Sequence, residues 1–186
     1  ESGLDDVLKF MKKDHDLGQA YQAIDRLHEA GLIYDAHIMT GVAGKGRGME
    51  NAEALAQFLN RTNPAHVVNF SMFLHKEVPL YEDIRQGTFV PADELETIRE
   101  EYHLIERIAP EKAGANILYD GFHDFIHVRV RGHLPGDKEK MLAKLSGIIQ
   151  EYEGKEPVYS FVQGECPDLE YCDDGKAVWD MDRKTS

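Results

Sequence analysis

Cysteine is nearly absent. Cys166 and Cys172 are the two thiols in 186 residues, with five residues between them. That spacing makes no CxxC element and no common zinc or cluster site, and a chain of this size needs no disulfide scaffold. The pair reads as reduced thiols, the cytoplasmic pattern. Long apolar runs are missing too: no stretch approaches the ~18 residues of a membrane span, and no signal-peptide pattern opens the chain. Cations are scarce, with 21 Lys+Arg against 34 Asp+Glu. This excludes a broad nucleic-acid surface, which needs a basic face; the one dense basic cluster is Lys45 and Arg47, with Arg61 further along. Internal repeats and low-complexity tracts are absent. So is an initiating methionine, since Glu1 leads directly into patterned sequence, as an excised part of a longer chain would.

What is present is 42% hydrophobic and patterned. Leu4, Val7, Leu8 and Met11 recur at helical spacing and predict a short helix over residues 5–13. Asp16 is placed to cap a second helix carrying Tyr21, Ile24 and Leu27, which Gly31 ends. Residues 32–40, mostly apolar and bounded by glycine, predict a buried strand. A glycine-rich loop at residues 41–48 and a helix over 50–60 follow. Residues 66–73 predict a second buried strand, then a long connection punctuated by Pro79, Gly87 and Pro91. Leu95, Ile98, Tyr102, Ile105 and Ile108 line a helix from about residue 92. Short strands are expected at 115–119 and 125–130, and a last helix runs from the turn at 134–137 to about Tyr152. Alternation of buried strands with helices implies a parallel sheet. Only two strong parallel strands are visible, too few for an independent doubly wound sheet or a closed barrel.

Three local patterns invite chemistry. The loop Gly41-Val42-Ala43-Gly44-Lys45-Gly46-Arg47-Gly48 exposes amides before a helix, as phosphate sites do. It lacks the Walker spacing, because Met39 and Gly46 stand where Gly and Lys-Ser/Thr would fall. A mobile strand-to-helix loop, with Lys45 and Arg47 available to an anionic group on a substrate, is the better reading. Asn69 and Ser71 lie two apart on a strand and point the same way, either toward a substrate or into a mixed core. His123 and His127, with His133 beyond, have metal-pair spacing for a helix, but Phe125, Val128 and Val130 favour a strand, and no third ligand is fixed. No metal site is expected there.

The opening Glu1-Ser2-Gly3-Leu4-Asp5-Asp6-Val7-Leu8-Lys9-Phe10-Met11 resembles a segment of radical S-adenosylmethionine (SAM) enzymes, and later pieces match in order. They are Ala30-Gly31-Leu32 before a strand, Thr40-Gly41-Val42-Ala43-Gly44 after it, Asn63-Pro64 before the next, and Pro79-Leu80-Tyr81. Gly132-His133-Leu134-Pro135-Gly136-Asp137-Lys138 closes the set, so the resemblance covers roughly residues 1–150. It implies an α/β fold, the C-terminal half of a radical SAM (β/α) barrel: residues 1–112 as partial barrel, 113–154 as strands and a helix packed on it, 155–186 as an acidic, loosely structured extension. It implies SAM contacts at Glu1, Ser2, Met39 and Gly41, the first two also reading simply as caps at a helix start. Lys45, Arg47, Asn69 and Ser71 then lie on the substrate side. The family's distal glutamate after this strand is missing and its glycines are in another register, which leaves individual adenine contacts open. The cluster-binding Cys-x₃-Cys-x₂-Cys is absent as well. The parent enzyme is thus expected to use SAM and a [4Fe–4S] cluster to abstract hydrogen from an unknown substrate. This chain alone is expected to hold neither and to be inactive. Its expected partners are the missing N-terminal half of the barrel or, failing that, a second copy of itself. The rival reading is a small non-catalytic α/β binding module.

Overall fold

The computed structural model describes residues 1–162; most of the expected acidic extension, with Cys166 and Cys172, lies outside the described residues. Helix α1 (Asp5–Phe10) has Asp5 and Asp6 in its first turn, where the helix dipole favours them. It is shorter than the sequence pattern because Lys12 turns left-handed: Lys12 N donates to Lys9 O and Lys13 N to Leu8 O, a Schellman ending. Helix α2 (Leu17–Glu29) starts at an Asp16–Gln19 capping box and ends the same way around Gly31. That ending uses Leu32, so strand β1 (Asp35–Thr40) begins three residues later than the apolar run.

Helix α3 (Gly48–Thr62) ends at left-handed Asn63 and leads into β2 (His66–Ser71). Two residues, Leu74–His75, then form the short strand β3. The stretch expected as a plain connection contains a helix, α4 (Leu80–Gln86), with Pro79 at its cap, where a missing N–H costs nothing. Helix α5 (Glu94–Arg107) is capped by Asp93, whose carboxylate accepts from Glu96 N. Strand β4 (Ile117–His123) turns through a 3₁₀ step, Asp124–Ile126, and left-handed His127 into β5 (Val128–Leu134). This turn occupies the start of the strand expected at 125–130 and moves it toward the C-terminus. Helix α6 (Lys138–Tyr152) follows, and β6 (Phe161–Val162) pairs in parallel with β3.

The sheet has the order β1-β2-β4-β5, the first three parallel and β5 antiparallel. Residues 113–154 therefore continue the sheet of residues 1–112. The chain is an α/β fold with an open, mostly parallel four-stranded sheet and six α-helices among the described residues. Ahead of β1, the Glu1 amine donates to His37 O and Glu1 O accepts from Met39 N, the bond pair of a parallel bridge opposite Ile38.

Helices α3, α5 and α6 pack on one face of this sheet. Leu59, Ile98, Leu104, Ile105, Ile117, Tyr119, Leu134 and Leu145 are fully buried there, each apolar side chain stabilising by about 1.5–3 kcal/mol. Among the described residues no helix layer covers the other face; at its edge Met39 packs against a second core that includes Val7 and Ile84. Parallel sheets are normally covered on both sides. Among the described residues no helix is long and apolar enough to cross a membrane.

Candidate functional site

The C-terminal ends of parallel strands are where α/β folds gather their ligands, and the unusual chemistry of this chain is concentrated there. Between sheet and helices lies a buried polar network. Helix α5 turns Glu94, Glu100 and Glu101 inward, each at most 1% exposed. His123, at the end of β4, sits between two of them: Nδ1 is 3.0 Å from Glu94 Oε2 and Nε2 is 3.0 Å from Glu101 Oε2. Burial alone would lower the pKa of His123, but the charges and hydrogen bonds of Glu101 and Glu94 outweigh it and raise it to about 10. The ring is an imidazolium, donating from both nitrogens. Glu101 Oε1 also accepts from Tyr119 Oη (2.9 Å) and Asn69 Nδ2 (3.1 Å). Burial, then the nearby Glu101 charge, hold the Tyr119 phenol well above its ordinary value.

A second arm ties the start of the chain to the glycine loop. Asn51 Oδ1 accepts from Ser2 Oγ (2.7 Å) and Gly3 N (3.0 Å), while Asn51 Nδ2 donates to Glu100 Oε1 (2.7 Å). Glu100 Oε2 accepts from Gly41 N (2.8 Å). Burial raises Glu100 to about 7 although these hydrogen bonds oppose it. Because its carboxylates and His123 are buried, the network's direct role is to hold strand ends in place. Among the described residues no group of three or more His, Cys, Asp or Glu side chains is arranged for a metal ion; both nitrogens of His123 already face carboxylates.

The open face carries a different constellation. Cross-strand register aligns Met39, Phe70, Phe122 and Arg129 in one row over four strands, and His37, Val68, Asp120 and Arg131 in the next. Phe70 and Phe122 stack with centroids 5.5 Å apart, and the Arg129 guanidinium lies 4.7 Å over Phe122. Asp120 accepts from Arg129 Nε and Nη2 at 2.8 and 2.7 Å, which holds its carboxyl below the usual range. Phe70 is 37% exposed.

The expected site residues divide between these places. Met39 is on the open face, half-buried, beside the backbone of Glu1; the Glu1 carboxylate pairs with Lys13 (2.7 Å). Ser2 and Gly41 face inward, joined through Asn51 and Glu100. Asn69 and Ser71 also face inward: Asn69 Oδ1 accepts from Thr40 N, and Ser71 Oγ donates to Glu94 Oε1 (3.0 Å). The mixed-core alternative holds for both. Arg47 is engaged by Asp6 (2.7 Å) and Glu50 (2.9 Å), so it is not available to an anion as expected. Lys45 stands exposed at the loop. Sequence reading missed Asn51, Glu94, Glu100, Glu101 and His123 as one unit. The signal was there: Glu94 and Glu101 are seven apart and flank Ile98 on the stripe that continues to Ile105. Carboxylates at apolar-stripe positions need buried partners. No model of a known protein family, no curated protein and no solved structure matches this chain.

Proposed function

We propose that this chain supplies the SAM-facing wall and the substrate-side loop of a radical SAM barrel whose cluster-binding strands are not part of it. The observation that supports this most is the one-sided sheet. Among the described residues, three parallel strands, preceded by the parallel bridge at Glu1, carry a helix layer on one face only. The face that would line a barrel carries the apolar row Met39–Phe70–Phe122 at the strand ends. A flat adenine ring packs favourably on such a row, and the sulfur of Met39 adapts to an aromatic edge.

Within this reading the four SAM candidates have different roles. Met39 and Glu1 take the direct contacts with the ligand. Ser2 and Gly41 position the wall through Asn51 and Glu100. In enzymes of that kind a reduced [4Fe–4S] cluster supplies the electron that cleaves SAM to methionine and a 5′-deoxyadenosyl radical. The described residues include no cysteine and do not fit the cluster.

The test uses the complete product of the gene, purified anaerobically with iron and sulfide and given SAM and a strong reductant. Formation of 5′-deoxyadenosine is expected, and Met39→Lys should lower it about tenfold or more by removing apolar contact while iron content stays unchanged. A complete product that binds no cluster and forms no 5′-deoxyadenosine overturns the proposal in favour of the small α/β binding module.

A further inference from the structure

Beside the open face of the sheet lies a cleft of about 390 Å³ between α1, the glycine loop and the segment 88–90. Its walls are Val7, Phe10, Val42, Ala43, Phe89 and Val90. Phe10 and Phe89 stack at 5.8 Å with planes 15° apart, and Phe10 and Val90 are 41% and 37% exposed. The size and apolar lining are those of a small-molecule site.

Charge in the cleft narrows the ligand. Asp6 and Arg47 both border it, but they neutralise one another. That leaves Lys45, which makes no ion pair among the described residues. Most of the loop's backbone amides are already engaged. Gly44 N donates to Gly41 O, Lys45 N to Val90 O (2.8 Å), Gly46 N to the Glu96 carboxylate and Arg47 N to Gly44 O. A phosphate would find four consecutive amides already engaged and the Asp6 and Glu96 carboxylates nearby. One ammonium at the edge of an apolar cleft suits a different species.

We propose that this cleft binds a small monocarboxylate with an apolar or aryl body, the body on Phe10, Phe89 and Val90 and the carboxylate on Lys45. The inference goes beyond the SAM reading; it shares the glycine loop with that reading but does not depend on it, since no residue of the open face takes part.

The experiment is a titration of the full ¹⁵N-labelled chain with three probes sharing a phenylethyl body: 3-phenylpropanoate, 3-phenylpropanol and 2-phenylethyl phosphate. The acid should give saturable shifts centred on the amides of Val42, Ala43, Lys45, Phe89 and Val90. The alcohol and the phosphate should bind at least about tenfold more weakly. Lys45→Met should remove that preference for the acid while leaving the alcohol unchanged, and Lys45→Arg should restore it. Equal binding of acid and alcohol, preference for the phosphate, shifts centred elsewhere or no saturation each overturn the proposal. Loss of 5′-deoxyadenosine chemistry in the complete protein would leave these shifts intact, so the two readings fail separately.

Discussion

His123 carries a charge where burial alone would remove it, because two carboxylates face its two ring nitrogens. Replacing it by alanine leaves Glu94 and Glu101 buried without their shared partner. Removing one member of a buried pair costs about 3–5 kcal/mol. Urea unfolding of His123→Ala at neutral pH should show that loss, and one below about 1 kcal/mol would contradict a charged ring. The same groups set a pH dependence. The folded pKa of His123, about 10, exceeds its ordinary 6.5, so its contribution is complete below 6.5 and disappears as pH rises through 10. Glu100, about 7 against 4.5, also binds its proton more tightly when folded, so stability falls as pH rises between those values. Both act in one direction, and melting temperature should decline steadily from about pH 5 to 10. Glu100→Gln should flatten the acid part of that slope and leave the alkaline part. An unchanged slope between pH 4.5 and 7 would show that Glu100 is not the group titrating.

At the scale of elements, glycine and helix stripes explain both what was legible and what was not. Gly3 stands in the segment that suggested ligand contact, yet its requirement is steric. A Cβ there would lie 2.6 Å from Leu55 N and 2.7 Å from Ala54 C in the backbone of α3. Gly3→Ala should therefore cost about 1–3 kcal/mol as an overpacked contact, read as a lower melting temperature, and a change of a few tenths would mean that α3 yields. The strands β1 and β2 and the helices α2, α3, α5 and α6 were legible because their apolar periods and caps are local. Helix α4 was not, because Pro79 reads equally as a turn or as a helix start. The buried face of α5 is wider than expected: Ile98, Ile105 and Ile108 of the predicted stripe are fully buried and Leu95 and Tyr102 half-buried, but Glu94, Glu100 and Glu101 take buried positions as well. Periodicity counts apolar residues and does not register carboxylates that His123, Asn51, Tyr119 and Asn69 satisfy from distant parts of the chain. The inward orientation of Asn69 and Ser71 was undecidable for the same reason, since strand alternation fixes that they share a face but not which layer covers it.

At the scale of the whole molecule, the sheet face that carries no helix layer among the described residues sets how the chain behaves in solution. Met39, Val68, Phe70, Leu118 and Phe122 lie on it in register, and Phe70 is more than a third exposed. A parallel sheet left bare on one side presents an apolar surface that a further layer, the rest of a barrel or a second copy would cover. The face is not uniformly sticky. Asp120, Arg129 and Arg131 form a charged margin along β5, which favours partners that meet the β1–β2 half and leave the margin wet. The chain by itself should associate weakly, with a sedimentation coefficient that rises over a tenfold increase in concentration. Phe70→Lys places a charge at the centre of the apolar row and should return the chain to monomer without unfolding it, since the side chain is partly in water already. Ile33→Lys provides the comparison: that residue is 82% exposed just past α2, and removing it takes away as much apolar surface at a site off the sheet. If both variants suppress association equally, general hydrophobicity drives it. If only Phe70→Lys does, the bare sheet face is the surface through which this chain meets what covers it.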